Sequence, residues 1–555
     1  MQNKMIQIIC ENCGTKKDFQ RGTTLKEISE ELNVNLKYPI LGAFVNNKLK
    51  ELSYNIYKPK TVEFIDITHP DGMRMYIRSL MFVLQKAVND IIPGKQLKIE
   101  HAISKGLYCE IEGNGTLDIE TVFAIGNRMR EIIDDDIEFK RKEILTTDAI
   151  KLFEEAELTQ KALLFKFRSQ LYTSVYSLDD INDYFYGFLA PSTGYLKVFD
   201  LVKYFDGMLL IGPKSDNPDE CEEIILQNKL FEILREYKQW GEILNVGYIG
   251  NINEIIEKKQ VGELIKISEA LQEKKLAYIA DKISAQTPHP KLILISGPSS
   301  SGKTTFAQRL AIQLKVAGIK PVTLSLDNYF VNRELTPRDE NGEYNFEALE
   351  ALDIDLLNSN LLQLFNGEEI ELPRFSFQTG QRYYTGEKLK IDKKTIIIAE
   401  GIHALNPNLT PDIDDKDKFK IYVSALTTVS LDNLNRIPTT DTRLIRRIVR
   451  DYRYRGYSAL ETIDRWQSVR EGEEKYIFPY QENADVMFNT AVHYETGVLK
   501  RYVEPILYEV PKNKKAYREA VRLLKFFSYI TPIPDEEIPP TSILREFLGG
   551  SSFKY

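Results

Sequence analysis

Short apolar runs separated by amphipathic stretches dominate the second half of the chain. Five such runs recur, with helical or loop patterns between them, at 292–295, 322–326, 395–399, 419–423 and 485–488. Short apolar runs that alternate with helices are typical of parallel strands buried on both faces. The pattern therefore predicts an α/β domain with a parallel sheet in the C-terminal half.

The beginning of the chain mixes strand and helix patterns in another order. Apolar alternation predicts strands at 6–10, 43–49 and 61–67, and a helical pattern predicts a short helix at 25–32. We interpret this segment as a small mixed α+β domain.

A second unit extends to about residue 215. A helical pattern from Asp71 leads into a hairpin-like stretch at 107–117, with its turn predicted at 113–115. Beyond it, residues 220–284 carry Glu, Lys, Leu and Ile at helical spacing, and the sequence TPHP at 287–290 interrupts that spacing. We expect a domain boundary at this interruption.

Composition restricts the cellular setting of the 555 residues. The net charge of −8 argues against nonspecific attraction to nucleic acid, and four cysteines are too few for a disulfide framework. No apolar run approaches the roughly 20 residues that a membrane-spanning helix needs. We therefore expect a cytoplasmic protein without a membrane partner.

The strongest local signal is a glycine-rich loop after the first of the five apolar runs. Gly297-x-x-x-x-Gly302-Lys303-Thr304 follows a predicted strand and opens a predicted helix, as a P-loop requires. Its glycines let backbone N–H groups turn onto phosphate oxygens, and the helix N-terminus favours the same anion. Lys303 is predicted to act in catalysis on the terminal phosphates, and the Thr304 hydroxyl to bind Mg²⁺. The predicted ATP-binding residues are Gly297, Ser299, Ser300, Ser301, Gly302, Lys303, Thr304 and Thr305.

Two carboxylates directly follow two of the other predicted strands. Asp327 comes after 322–326, and Glu400 comes after 395–399. Open parallel sheets bind ligands at the carboxyl ends of their strands, so both side chains are expected to face the P-loop. We assign Asp327 as the catalytic base for the acceptor hydroxyl and Glu400 as a magnesium ligand with Thr304. Exchanged or shared roles stay open, as does a capping role for each alone.

The stretch DTRLIRRIVRD places four arginines on one helical face, because Arg443, Arg446, Arg447 and Arg450 are three or four residues apart. Such a face repels itself unless carboxylates or an anion meet it, and the guanidinium fork matches phosphate oxygens. We predict a lid over ATP in which Arg446, Arg447 and Arg450 are catalytic. The alternative is a solvated surface helix.

Together these residues resemble the uridine kinase and phosphoribulokinase family of P-loop small-molecule kinases, over about residues 288–505. The shared elements are GPSSSGKTT at 297–305, DNYF at 327–330, YNFEALEALD at 344–353, LPRF at 372–375, AEGIHAL at 399–405, DTRLIRRIVRD at 441–451 and ADV at 484–486. The resemblance implies ATP, Mg²⁺ and a nucleoside acceptor, uridine or cytidine, that becomes the 5′-monophosphate. It also implies substrate contacts from Tyr329, Glu347 and Phe375, with Glu347 at the ribose hydroxyls.

Three positions of the acceptor pocket depart from the family's pattern. Uridine kinases carry an aspartate where this chain has Glu347, and a tyrosine and a histidine where it has Phe375 and Gly380. Phe375 keeps an aromatic face for stacking, whereas the histidine's hydrogen bond to the base has no evident replacement. With Gly380 opening space, we expect a permissive pocket.

The N-terminal half resembles α+β modules of threonyl-tRNA synthetases. Residues 1–68 are similar to the TGS domain, a ubiquitin-like β-grasp module, and 69–215 to the second additional domain, which edits mischarged tRNA through an HxxxH pair. The comparable helix here reads MRMYIRSLMFVL, so the hydrolytic centre is expected to be absent. A helical connector at 216–285, the kinase domain at 286–510 and a C-terminal extension at 511–555 complete the predicted order.

The leading prediction is an ATP-dependent nucleoside kinase of pyrimidine salvage. One alternative is a kinase for another hydroxylated small molecule, such as a sugar phosphate. Another is a nucleotide-switched RNA-binding regulator linked to translation, although a pure switch has no need of the base Asp327. The sequence leaves open the acceptor, the choice between ATP and GTP, RNA contact through the N-terminal modules, and assembly into a homo-oligomer.

Overall fold

The computed structural model describes residues 5–113, 115–338, 342, 344–376, 378–392 and 394–554. No helix within these ranges combines the length and apolarity that crossing a bilayer requires.

The first unit is a five-stranded mixed sheet crossed by one helix. Its elements are β1 (Met5–Cys10), β2 (Thr15–Gln20), α1 (Leu25–Glu31), β3 (Gly42–Val45), β4 (Lys48–Glu51) and β5 (Lys60–Ile65). The order is β2-β1-β5-β3-β4, with β1 and β5 parallel. The single strand predicted at 43–49 is wrong: Asn46 and Asn47, both with positive φ, form the turn of a β3–β4 hairpin.

The second unit packs helices on antiparallel sheets. Its elements are α2 (Pro70–Ile91), β6 (Leu97–Ile103), β7 (Gly106–Ile111), α3 (Ile119–Asp134), β8 (Lys140–Leu145), α4 (Thr146–Glu155), α5 (Thr159–Lys166), β9 (Tyr172–Leu178), β10 (Ile181–Asp183), β11 (Asp200–Tyr204) and β12 (Gly207–Ile211). The sheet orders are β11-β12-β7-β6 and β10-β9-β8.

The hairpin of the second unit turns earlier than predicted. Strands β6 and β7 join through Ser104 and Lys105, which both have positive φ. β7 then ends at Ile111, so the predicted turn at 113–115 lies in the loop before α3, and its Asn114 lies outside the described residues. The prediction followed the glycines, whereas the turn uses two left-handed residues without glycine.

A helical stretch and the parallel sheet follow. The helices α6 (Asn228–Ile243), α7 (Ile249–Glu257) and α8 (Val261–Ser284) confirm the helical pattern predicted at 220–284. The remaining elements are β13 (Leu292–Ser296), α9 (Lys303–Val316), β14 (Lys320–Ser325), α10 (Ile354–Phe365), β15 (Ile370–Ser376), β16 (Gln381–Leu389), β17 (Thr395–Glu400), β18 (Lys418–Ser424), α11 (Thr439–Arg450), α12 (Ala459–Asp464), α13 (Trp466–Tyr476), β19 (Val486–Asn489), α14 (Glu495–Tyr508), α15 (Tyr517–Phe527) and α16 (Arg545–Leu548).

All five apolar runs are strands of one parallel sheet, which confirms the α/β prediction. The order is β14-β17-β13-β18-β19, with every neighbouring pair parallel. β13 is central and fully buried, as its unbroken apolar sequence requires. The sheet therefore gathers the residues that follow β13, β14 and β17 at one edge.

One apolar core cluster joins the two halves of the chain. It contains Phe153 of α4, Phe165 of α5 and Ile252 of α7, together with Leu444 of α11 and Phe527 of α15. Residues of different predicted domain ranges therefore pack together in one core, so those ranges describe order along the sequence.

Candidate active site

The backbone path of the P-loop requires both of its motif glycines. A Cβ atom at Gly297 would lie 1.9 Å from the carbonyl oxygen of Val423 in β18. Gly302 has φ +83°, a left-handed conformation that favours glycine. This path delivers the N-terminus of α9 to the carboxyl edge of the sheet.

The loop carries donors that an anion can use. Lys303 Nζ lies over the loop and donates to the carbonyl oxygens of Gly297 and Pro298 at 2.9 and 3.2 Å. The hydroxyls of Ser300 and Ser301 are buried and have no hydrogen-bond partner among the described residues. An ammonium and two hydroxyls thus accompany the N–H groups at the start of α9.

Oxygen ligands meet beside the loop. Thr304 Oγ1 donates to Glu400 Oε1 at 3.4 Å, and Ser325 Oγ donates to the same oxygen at 3.2 Å. Asp327 follows β14 in a short 3₁₀ turn and lies close enough to raise the pKa of Glu400. Two carboxylates and a hydroxyl form a donor set that suits Mg²⁺.

The two carboxylates repel each other. Burial and then Asp327 raise the pKa of Glu400 to about 7, against the influence of Lys303. The walls of the cleft limit hydration of the Asp327 carboxylate and raise its pKa, although the side chain stays open to solvent, while Lys303, Arg455 and Arg450 oppose this. A divalent cation between the carboxylates would relieve the repulsion, so the residues fit Mg²⁺.

The four arginines of α11 divide into two pairs, of which the first is buried. Arg443 donates to both carboxylate oxygens of Glu473, and Arg446 donates to Glu495 and Thr490. The solvated-helix alternative is therefore wrong. These contacts hold Arg446 in the core and correct its predicted catalytic role to a structural one.

The second pair reaches the phosphate end. Arg447 Nη1 donates to Ser299 Oγ in the P-loop at 2.8 Å. Arg450 pairs with Asp451 at 2.8 Å and lies close enough to Asp327 to lower its pKa. Arg447 and Arg450 thus lie near the P-loop and Asp327, and their catalytic role in a lid stays a prediction.

Two residues of the site carried no sequence signal. Glu473 Oε1 accepts a hydrogen bond from the Ser299 N–H at 3.2 Å. Arg455 is the last residue of a π-helical turn, Asp451–Arg455. The i→i+5 spacing of such a turn places Arg455 on the same side as Arg450. Limited hydration in the cleft lowers the pKa of Arg455 to about 10 although its side chain is 48% exposed, with Arg450 adding to this and Asp327 opposing it.

Glu347 joins the site from the segment before α10. Burial raises its pKa to about 7, Arg447 and Lys303 lower it, and Glu473 and Asp327 raise it. Glu347 therefore lies near Lys303, Arg447 and Asp327, and its contact with the ribose hydroxyls stays a prediction.

The two predicted aromatic contacts differ. Phe375 is half-buried on β15, with its ring 5.5 Å from that of Phe330, and can offer a face. Tyr329 is 1% exposed, and its hydroxyl accepts a hydrogen bond from Asn360 at 3.1 Å. A side chain so enclosed cannot touch a ligand that enters from solvent, so the prediction for Tyr329 is corrected to a core role.

The space expected at Gly380 is filled. A Cβ atom there would lie 2.5 Å from Arg333 Nε, and the Arg333 N–H donates to the Gly380 carbonyl at 2.8 Å. The glycine therefore admits an arginine side chain, and the open space expected at Gly380 is absent.

The C-terminal segment (residues 543–554) lies against the P-loop. Glu546 Oε2 accepts from the Thr305 N–H at 3.2 Å and from its hydroxyl at 2.6 Å. A Cβ atom at Gly302 would lie 2.6 Å from Ile543 Cγ2, and the ring of Phe547 lies 5.1 Å from the Arg446 guanidinium. The N–H groups in the first turn of α9 have no partner within the helix, and a phosphate would bind there. The Glu546 carboxylate accepts from one of them.

Comparison with known proteins points to the same half of the chain. Residues 292–496 match the Phosphoribulokinase / Uridine kinase family. A uridine kinase of Staphylococcus epidermidis is 32% identical over 197 residues, which are 35% of this chain and 86% of the relative. A uridine kinase of Schizosaccharomyces pombe is 34% identical over 195 residues, 35% of this chain and 37% of the relative.

A second kind of relative is a threonine–tRNA ligase of Clostridium kluyveri. It is 30% identical over 199 residues, which are 36% of this chain but 31% of the ligase. The chain thus spans less than a third of the ligase's length.

Proposed function

The chain belongs to the phosphoribulokinase/uridine kinase family, and from this premise we propose that it transfers the γ-phosphoryl group of ATP to the 5′-hydroxyl of a pyrimidine nucleoside. The observation that carries the proposal is the meeting of the P-loop with Asp327 and Glu400 at one edge of the parallel sheet.

Each residue of this edge has a distinct task. Lys303 and the N–H groups of α9 bind the phosphates, and Arg447 and Arg450 supply charge from the lid. Asp327 orients the acceptor hydroxyl and takes its proton. Thr304 and Glu400 would hold Mg²⁺, which neutralises phosphate charge when bound.

The acceptor is assigned from three side chains. Glu347 would accept hydrogen bonds from the ribose hydroxyls, and the Phe375 ring would stack on the base. Arg333 lies beside Gly380, the position that matches the family's histidine in sequence, and its guanidinium can donate to a pyrimidine carbonyl. We therefore propose uridine as the best acceptor, with cytidine weaker because it presents an amino group at one of the two carbonyl positions.

A panel of acceptors tests the proposal. Uridine, cytidine, adenosine, guanosine, 2′-deoxyuridine and two sugar phosphates are each incubated with ATP and Mg²⁺, and the product is identified by mass. We expect uridine 5′-monophosphate as the main product and poorer turnover of 2′-deoxyuridine, because Glu347 loses a partner. ATP consumption with a sugar phosphate alone would refute the nucleoside assignment and keep the kinase.

We further propose that residues 1–68 and 69–215 are TGS-like and editing-like modules without hydrolytic activity. The ligase match supports this, as does the absence of histidine from MRMYIRSLMFVL in α2. A deacylation assay with mischarged tRNA should give no activity above background, and measurable hydrolysis would refute it.

A further inference from the structure

Three cations converge on the segment Tyr186-Gly187-Phe188, far along the chain from the P-loop. Lys525 Nζ of α15 lies 5.6 Å from the centroid of the Tyr186 ring. Arg78 of α2 donates to the Phe188 carbonyl at 2.6 Å, and a Cβ atom at Gly187 would lie 2.3 Å from its guanidinium carbon. Arg141 of β8 lies over the Phe188 ring at 5.6 Å. Three separate elements therefore bring positive charge to three consecutive residues.

Two further cations widen this group. Arg168 lies 5.1 Å from the ring of Tyr529, which in turn is 6.5 Å from that of Tyr186. Its Nε is buried without a hydrogen-bond partner among the described residues. Lys50 of β4 is near enough to lower the pKa of Lys525. We call Lys50, Arg78, Arg141, Arg168 and Lys525 the cation cluster.

Carboxylates are scarce in the cation cluster. Within the part of the chain that the structure describes, Lys50, Arg78, Arg168 and Lys525 form no ion pair. Glu51 and Glu143 are taken up by Arg141, and Asp71, which opposes the lowering of the pKa of Arg78, pairs with Arg74.

The neighbouring arginines of the same helices show the ordinary arrangement. Arg74, one turn before Arg78, pairs with Asp71 at 2.8 Å. Arg522, one turn before Lys525, pairs with Asp441 at 2.6 Å. The lack of a carboxylate partner at Arg78 and Lys525 is thus no general property of α2 or α15.

Like charges held together under partial burial raise each other's free energy. Burial, followed by Arg78, Arg168, Arg141 and Lys50, lowers the pKa of Lys525 to about 7. A phosphate group complements such a set of cations, because guanidinium groups match the geometry of its oxygens and an ammonium adds a point charge. An anion of two or more charges would also restore the protonated form of Lys525.

We propose that the cation cluster is a second anion site, separate from the P-loop, which binds a small phosphate-bearing ligand through Arg78, Arg168 and Lys525. Inorganic pyrophosphate is the probe that presents this chemistry without a base or a sugar.

The test is isothermal titration calorimetry of pyrophosphate into full-length protein carrying Lys303→Ala, so that the P-loop contributes little. We expect saturable binding of one pyrophosphate per chain, tighter than that of inorganic phosphate and absent for chloride at equal ionic strength. Arg78→Gln and Lys525→Gln should each weaken it about tenfold or more. Lys151→Gln, which removes from α4 an exposed charge that forms no ion pair among the described residues, should leave the affinity for pyrophosphate unchanged.

Proton uptake provides a second readout. At pH 7.5, titrations in two buffers of different ionisation enthalpy should reveal protons taken up on binding, and Lys525→Gln should abolish this uptake. The groups facing Lys525 are the other four cations, the Tyr186 hydroxyl and the carboxylate of Glu51. If Arg78→Gln fails to fold, Lys525→Gln decides, because the Lys525 ammonium makes no hydrogen bond among the described residues. Absence of saturable binding, or equal binding by the Lys525 and Lys151 variants, would overturn the proposal.

Discussion

Two regions of this molecule concentrate charge in opposite senses. Beside the P-loop, burial raises the pKa of Glu347 and of Glu400 to about 7, and neighbouring carboxylates add to the rise. In the cation cluster, burial lowers the pKa of Lys525 to about 7, and the neighbouring cations add to the lowering. An excess of negative charge favours a bound cation, and an excess of positive charge favours a bound anion. The first region therefore favours a cation with its bound phosphates, and the second favours an anion.

The sharpest way to probe the first region is Asp327→Asn. The catalytic step should fall by roughly 10²–10⁴-fold, the range for a positioned acid or base, while ATP affinity changes little. Single-turnover kinetics and a nucleotide-binding titration measure the two quantities. Asp355→Asn, an exposed carboxylate on α10, is the matched control and should retain full turnover.

The raised pKa values predict a pH limb. Glu347 is protonated below its pKa of about 7 and then loses a charged acceptor for the ribose hydroxyls. At saturating Mg²⁺, kcat/KM for uridine should therefore fall about tenfold per pH unit below 7. Glu347→Gln should lower the plateau and flatten this limb, and an unchanged limb in that variant would assign the titration to another group.

A weaker effect is expected from the C-terminal segment. Glu546 places a negative charge on the Thr305 N–H, so Glu546→Gln should tighten ATP binding roughly threefold to tenfold. Fluorescence titration with an ATP analogue measures the change. Glu536→Gln, exposed in the same part of the chain, should have no effect. Weaker ATP binding in Glu546→Gln would mean that the carboxylate supports the loop.

The smallest effect concerns stability in the second region. Lys525→Met removes a repelled cation and should raise the free energy of unfolding at pH 7 by about 0.5–1 kcal/mol, while Lys151→Met should not. Because the pKa of Lys525 is lowered, the folded chain binds fewer protons than the unfolded one between pH 7 and its usual value. The stability of the unmodified protein should therefore rise with pH in this window, and the difference from the variant should shrink. Chemical denaturation at several pH values checks this.

The sequence predicted what depends on local pattern. The five parallel strands, the P-loop and the placement of Asp327 and Glu400 followed from short apolar runs and from the residues that end them. In a parallel sheet these ends share one edge, so spacing along the chain becomes proximity in space.

Contacts between distant segments could not be predicted in this way. Glu473 is 174 residues from its P-loop partner, and Glu546 is 241 residues from Thr305. Tyr329 and Arg446 had suitable chemistry, but only the packing shows that one is in the core and the other is held by Glu495. The position of Arg333 beside Gly380 could not be predicted, because the sequence shows the glycine but not which side chain fills the space beside it.

Because the C-terminal segment packs against α9, the apolar core of the parallel sheet is completed only late in translation. The last strand of the sheet ends at Asn489, and the 57 residues from there to Glu546 take roughly 3–11 s to translate at about 5–20 residues per second. During that interval the nascent sheet lacks Ile543 and Phe547, which are buried in its apolar core. The nascent chain therefore exposes apolar surface of this core, to which a chaperone could bind, until α16 has been synthesised.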